Sequence, residues 1–254
     1  MPVIAISVNR LNELLGKNFK REVLVDSLEQ LGVDVEDTVE LILFLCPACQ
    51  APNEKLKKEE PPKQCEFCGY ESKESFKKIG TDRAIRLDLL ADRPDLFDSG
   101  GLSRALKGYL GLREGLSEFI VKRGTLKIQV DPALNNHDSY RPFIVGAVMK
   151  IPALDSNTLR EMMKLQESLH WGIGRDRKLA SIGIYDLSHL TPPFKYTVVD
   201  PDHLKFSPLG MPDKELTLRE IVTDHPKGKA YADLLKNHKK YLHHSQNKKL
   251  IPFL

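Results

Sequence analysis

The spacing of apolar positions changes several times along the chain, and each change marks an element. VIAISV (3–8) reads as a short strand, and Asn9 stands where it can cap a short helix ending at Leu15-Gly16. REVLVDSLEQLG puts Leu24, Leu28 and Leu31 on one helical face, with Gly32 placed to stop it. In AIRLDLL (84–90), Ile85, Leu87 and Leu89 alternate with polar neighbours, the period-two pattern of a half-buried strand. After the turn ADRPD comes GGLSRALKGYLG, whose Leu102, Ala105, Leu106, Tyr109 and Leu110 recur at i, i+3, i+4, i+7 and i+8. That spacing predicts an amphipathic helix. Glycine weakens a helix, so Gly108 is expected to serve a close packing contact.

REGLSEFIVKRG, near residues 112–124, breaks the helical pattern and suggests a boundary. Beyond it TLKIQV alternates as a strand, and RPFIVGAVMKI (141–151) is nearly continuous apolar sequence, as expected for a strand covered on both faces. LDSNTLREMMKLQESLHWGIG supplies N-cap residues, then Leu159, Met162, Met163, Leu169 and Ile173 at helical spacing, with the methionines read as core filling. LASIGIYD predicts a further strand, Pro192-Pro193 interrupts, FKYTVVD predicts another, and TLREIVTDHP starts a helix ended by His225-Pro226. The expected fold class is α+β: a small N-terminal α/β domain over 1–116 with an insertion at about 43–78, then a mixed α/β domain over 117–254. No internal repeat appears.

Composition narrows the class. With 254 residues, 41% of them hydrophobic, the chain can bury two modest cores. No apolar run approaches the roughly 20 residues of a membrane helix, and MPVIAISVNR lacks the features of a signal peptide, so the expectation is a cytoplasmic protein without membrane contact. A net charge of +3 does not by itself argue for nucleic-acid binding. Residues 227–249 nevertheless hold seven lysines against one acid, Asp233. Such a segment either meets phosphate or forms a solvated basic surface.

All four cysteines fall in CPACQAPNEKLKKEEPPKQCEFCG, as two C-x-x-C knuckles, Cys46/Cys49 and Cys65/Cys68, fifteen residues apart. Each knuckle turns two thiolates toward one ion, and two knuckles supply the tetrahedral sulfur shell that zinc prefers. Four thiolates leave no open position, so such a zinc is structural. It would order a lysine-rich loop poor in apolar residues. Disulfides, disfavoured in a reducing compartment, and unbonded thiols are the alternatives.

MPVIAISVNRLNELLG, DRPDLFDSGGLSRALKGYLG and the run from YRPFIVGAVMKI through LQESLHWGIGRDRKLASIGIYDLSHLTPPFKYTVVDP to FSPLG together resemble the N-terminal half of the β subunit of phenylalanyl-tRNA synthetase of the archaeal and eukaryotic type. The blocks match in order across most of residues 1–241. The resemblance implies a ligase subunit whose second domain hydrolyses tyrosine mistakenly attached to tRNA(Phe). It also implies assembly with an α subunit, as a heterotetramer, and a whole enzyme that uses ATP and Mg not bound by this chain. An editing site needs a slot for the ring with a polar end, donors for the ester and terminal adenosine, and a positioned water, but no metal.

On that reading Asp186, Thr217 and Ser181 are the catalytic candidates, with Asp186 accepting from ammonium or phenol and Thr217 holding water. Ser181 and Tyr185 share a strand face, Gly183 admits substrate, His170, Arg175 and Arg177 meet the tRNA terminus, and Leu209 lines the ring slot. Two features depart from the family: the knuckles themselves, and the end. Where a stretch like KYPLLIDSKGQVLSIPPIIN is expected after Lys240, this chain reads KYLHHSQNKKLIPFL, so the editing domain is expected to lack a strand and be incomplete. There is no P-loop and no G-x-G-x-x-G, and activation of phenylalanine by this chain alone is not expected. Two other roles fit the same residues: a non-catalytic, zinc-stabilised RNA-binding or scaffolding module, and a free-standing hydrolase acting in trans.

Overall fold

Twelve-residue strands dominate the first half of the chain. In the computed structural model, which describes residues 3–116, 118–135, 141–246 and 249–250, β1 (Val3–Ser7), β2 (Asp34–Leu45), β3 (Pro52–Leu56) and β4 (Lys77–Asp88) form an antiparallel sheet in the order β1-β4-β2-β3. The alternation of Ile85 and Leu87 sends them to one face, where they meet Leu11 and Leu15 of α1 (Val8–Leu15), Leu24 and Leu28 of α2 (Arg21–Gln30), and Leu102 and Leu106 of α3 (Ser99–Tyr109). These side chains are the core. Helix α1 starts earlier than its sequence suggests. Ser7, not Asn9, is the N-cap, because the last residue of β1 already has the extended backbone a cap requires and its hydroxyl accepts from the Arg10 N–H.

Helix α3 corrects a second expectation. Gly108 has open space around it, whereas a methyl group on Gly101 would lie 1.7 Å from the Asp95 carbonyl oxygen. The glycine that packing requires is therefore in the first turn, where Asp98 also caps the helix by accepting from the N–H groups of Gly100 and Gly101.

The chain divides into two compact units, the first made of 1–63, 72–119 and 153–182, the second of 64–71, 120–152 and 183–254. This division differs from a single cut at 116/117, since helix α4 (Ser156–Trp171) folds with the first unit. It docks largely through charge. Arg160, only 4% exposed, lies between Glu54 of β3 (Nε to Oε1, 3.1 Å) and Asp82 of β4 (Nη2 to Oδ2, 3.5 Å), and Lys164 pairs with the same Glu54. Glu161 receives Arg10 at 3.1 Å and the Ser99 hydroxyl, while Thr158 accepts from Arg10 at 2.9 Å. Leu165 and Leu169 pack on the core beside this network. Leu159, expected inside, is exposed, because the surface that receives α4 presents carboxylates where Arg160 fits.

In the second unit β5 (Ile128–Val130) runs parallel to β6 (Phe194–Val199), and β9 (Tyr241–Gln246) and β10 (Lys249–Leu250) extend the sheet antiparallel, in the order β10-β9-β6-β5. A small hairpin, β7 (Lys205–Phe206) with β8 (Leu216–Thr217), leads into α5 (Leu218–Asp224) and α6 (Pro226–Ala230). Two predicted strands are not strands. Residues 141–151 and 180–186 have no ladder among the described residues, and Phe143 and Val145 are 90% and 96% exposed. An apolar run becomes a covered strand only when neighbours supply both hydrogen bonds and cover, and periodicity cannot tell whether they are present. The divergent end, by contrast, folds. YLHHSQ pairs along all of β6 as β9; residues 247–248 and 251–254 lie outside the described residues.

Strand β9 makes the second unit sensitive to acid. Its His244 stacks on Tyr196, with ring centroids 4.7 Å apart, and burial holds the imidazole down at about 4. Burial also lowers neighbouring His243. In the unfolded chain an imidazole takes up a proton below about 6.5. The unfolded state then binds more protons than the folded one, so stability is complete above that pH and is lost as pH falls from there toward 4. We expect the unfolding free energy, from urea titrations followed by circular dichroism, to fall between pH 7 and pH 5 by about 1 kcal/mol for His244 once its residual solvent contact is discounted. His244→Phe should flatten that slope; equal slopes in both proteins would refute the assignment.

Candidate functional site

Each cysteine pair sits in a turn of the same construction. In the first, which joins β2 to β3, the Gln50 N–H donates to the Cys46 carbonyl and the Cys46 N–H to the Ala51 carbonyl, both at 3.0 Å. In the second, the Gly69 N–H donates to the Cys65 carbonyl at 3.0 Å and the Cys65 N–H to the Tyr70 carbonyl at 2.9 Å. Gln50 and Gly69, each one residue after the second cysteine of its pair, both adopt left-handed backbone, φ 60° and 75°. Glycine takes that conformation readily; Gln50 does so at a cost, held by the surrounding turn.

The four sulfurs lie within 4.8 Å of one another, with Cys46, Cys65 and Cys68 buried and Cys49 partly so. Zn–S bonds of about 2.3 Å give tetrahedral S···S edges of about 3.8 Å, so a modest contraction closes the shell. The N–H groups of Cys68 and Tyr70 point at Cys65 Sγ (3.5 Å) and Cys68 Sγ (3.4 Å), outer partners that hold the sulfurs in orientation. The donor set and its surroundings thus fit a metal ion. All four predicted ligands meet at one place.

The remaining candidates take varied positions. His170 is 1% exposed at the end of α4, where its Nε2 faces the N–H of Ile182 at 2.8 Å and its Nδ1 faces Glu167 at 3.6 Å. It ties the following loop to the helix. That loop, Arg175–Asp176–Arg177, has three successive residues at positive φ, and their N–H groups satisfy the carbonyls of Gly172, Trp171 and His170. Arg177 is buried and pairs with Glu167, whereas Arg175 is exposed. Burial alone would raise the Glu167 carboxyl, but the His170 ring and the Arg177 guanidinium outweigh it and bring it down to about 2.

Ser181 is partly buried. Gly183 gives close approach to the protein's own Tyr185, for a methyl group there would stand 2.6 Å from Cε2 of the ring. Burial also pushes the Tyr185 phenol up. Asp186 caps the 3-10 turn Leu187–His189, accepting from the Ser188 hydroxyl at 2.7 Å and N–H at 2.9 Å, which holds its carboxyl below the usual range. Thr217 is the N-cap of α5 in a reciprocal box with Glu220. Leu209 exposes its side chain, and its carbonyl meets Nε2 of His225 at 2.9 Å. His225 was read only as a helix stop, not as a hydrogen-bonding group. The available signal was His before Pro226, since a side-chain acceptor followed by proline at N1 marks a helix start as well as a stop.

Among the described residues no helix is long and apolar enough to cross a membrane. No family model matches the chain. It is 32% identical over 235 residues to the phenylalanine-tRNA ligase β subunit of Methanothrix thermoacetophila, covering 92% of this chain and 35% of that protein. It is 34% identical over 241 residues to that of Methanosphaera stadtmanae (95% and 35%), and 41% identical over 160 residues to that of Methanosarcina barkeri (63% and 28%). The chain therefore spans about a third of the length of the curated relatives it matches. A crystal structure of an N-terminal fragment of the phenylalanyl-tRNA synthetase β subunit from Pyrococcus horikoshii superposes with a TM-score of 0.75 at 26% identity, over 98% of this chain and 60% of that one. Over most of its length, the chain is a homologue of the N-terminal part of archaeal phenylalanyl-tRNA synthetase β subunits.

Proposed function

We propose that the chain serves as the N-terminal part of a phenylalanine-tRNA ligase β subunit and contributes hydrolytic editing of tyrosyl-tRNA(Phe), with a structural zinc on its four cysteines. The alignment with β subunits over more than nine-tenths of the chain carries this reading. An α subunit and tRNA(Phe) are then its partners and the cytoplasm its place; ATP and Mg serve synthesis elsewhere in the assembly. The chemical need is clear. A merely apolar pocket rejects an analogue that adds a hydroxyl only weakly, so tyrosine is attached by error. In correction, water adds to the ester carbonyl, the bond to the terminal ribose oxygen breaks, and free tyrosine leaves while the ribose hydroxyl regains its proton.

Ser181, Tyr185 and Asp186 with Leu209 and Arg175 present groups that substrate can reach, while Gly183 leaves room only beside the Tyr185 ring. Thr217, His170 and Arg177 hold the backbone around them in place. The exposed, unladdered segments 141–151 and 180–186 favour a second reading, a zinc-stabilised RNA-binding or scaffolding module without hydrolysis. A deacylation assay separates the two. We expect the chain, alone or with an α subunit, to cleave tyrosyl-tRNA(Phe) and spare phenylalanyl-tRNA(Phe), and Asp186→Ala to lower cleavage at least tenfold. Binding of tRNA without cleavage would establish the module instead, and cleavage unaffected by Asp186→Ala would remove that residue from the site.

A further inference from the structure

The second knuckle and the turn at 208–211 are remote in sequence, yet their backbones touch. Gly210 has φ +89°, and a methyl group on it would lie 2.7 Å from the Cys68 carbonyl oxygen and 3.3 Å from the Tyr70 nitrogen. Only glycine satisfies both the backbone angle and the clearance. The opposite side of the knuckle abuts the start of α6, where a methyl group on Gly69 would lie 3.3 Å from Pro226 Cβ and 3.5 Å from Lys227 Cγ.

His225 closes this arrangement. It is 1% exposed, and its Nδ1 accepts the Lys227 N–H at 3.2 Å, which leaves the proton on Nε2 to be donated to the Leu209 carbonyl at 2.9 Å. The Leu209–Gly210 peptide is thus held on one side by His225 and on the other by the backbone of Cys68 and Tyr70, while the Leu209 side chain remains 56% exposed. Residues 64–71 form no helix or extended strand and carry only Phe67 and Tyr70 as large apolar side chains, so an ion on the cysteines would be a main support of their shape.

We infer that the metal centre is a scaffold for the Leu209 turn: an ion on the four cysteines fixes the Cys65–Tyr70 backbone, and that backbone fixes Leu209 and Gly210. Leu209 and Gly210 are positioned through the knuckle, and the functional meaning of this rests on the editing reading, in which Leu209 lines the ring slot. Coupling of this kind is reciprocal, so a change at the turn must weaken metal binding by the same factor that metal loss loosens the turn.

Backbone amide exchange of the full chain, with zinc and after chelation under reducing conditions, tests the inference. Chelation should speed exchange at 208–211 and 225–227 about tenfold or more while α3 keeps its protection. In a competition with a chromophoric chelator, Gly210→Ala should lower zinc affinity about tenfold, whereas Gly108→Ala, in open space, should not. Exchange at 208–211 that ignores metal removal would overturn the inference, as would a folded Gly210→Ala protein with unchanged zinc affinity. If that variant does not fold, the exchange measurement on the unaltered chain decides. Neither readout involves aminoacyl-tRNA, so failure of the editing proposal leaves this result standing, and the reverse.

Discussion

Cys65→Ser should abolish tight metal binding and loosen residues 57–70, which follow β3. The four sulfurs converge within 4.8 Å, and the stretch between the knuckles, NEKLKKEEPPKQ, carries four lysines against three glutamates and few apolar residues. Beyond β3, little burial holds residues 57–64, so the proposed ion would. Apparent binding free energies of structural zinc run to about 10–16 kcal/mol in small isolated sites, and losing one of four thiolates forfeits a large part of that. Native mass spectrometry of protein purified under reducing conditions should find one zinc per chain in the unaltered protein and none in the variant. Unaltered protein without metal, or Cys65→Ser protein that keeps its ion through dialysis against a chelator, would end the zinc assignment.

Arg160→Ala should destabilise the first unit by about 3–5 kcal/mol, the range for removing one member of a buried ion pair. The side chain is 5% exposed, and its partners Glu54 and Asp82 are 10% and 14% exposed. Without the guanidinium, two carboxylates confront one another in a poorly hydrated space. Lys164 still reaches Glu54, and Asp82 retains the Ser7 hydroxyl, at 3.1 Å. The expected loss in melting temperature is about 10 °C. Replacing Arg160, Glu54 and Asp82 together by apolar residues of similar volume should recover most of it, because the penalty lies in leaving charges unpaired rather than in losing attraction. A fall below about 1 kcal/mol for Arg160→Ala would show that α4 is held by Leu165 and Leu169 instead.

Several features were legible because their cause is local. The knuckles are one case: a C-x-x-C turn brings its own two sulfurs together, and the observed hydrogen bonds of both turns close within six residues. Helices α2 and α3 are another, since Leu24, Leu28, Leu102 and Leu106 occupy the core positions their spacing predicted. Gly101 was missed, and Gly108 credited in its place, because the need for glycine arises from the Asp95 carbonyl across a turn, not from the helical pattern. Arg160 was missed for a similar reason. A helix reads as amphipathic by its leucines and methionines, and nothing in its own sequence announces that the receiving sheet carries Glu54 and Asp82.

The candidate site follows the same division. That 169–193 is a dense polar segment is plain from its letters, and so is its likeness to a phenylalanyl-tRNA synthetase β subunit. Which groups face substrate is not. Thr217 and Asp186 are short acceptors beside helix starts, and each bonds the N–H groups of its own next turn. His170 is enclosed by the loop that follows it.

By itself, the sequence determined the convergence of the four cysteines, the mixed α and β character and the kinship with synthetase β subunits, because these depend on residue type and short spacing. The tertiary structure alone decided that α4 belongs with the first unit, that the divergent tail supplies β9, that 141–151 stands exposed, and that Gly210 rests on Cys68. Each of these depends on what another part of the chain offers at the point of contact, a carboxylate, a ladder or a bare carbonyl, and no local pattern encodes the neighbour.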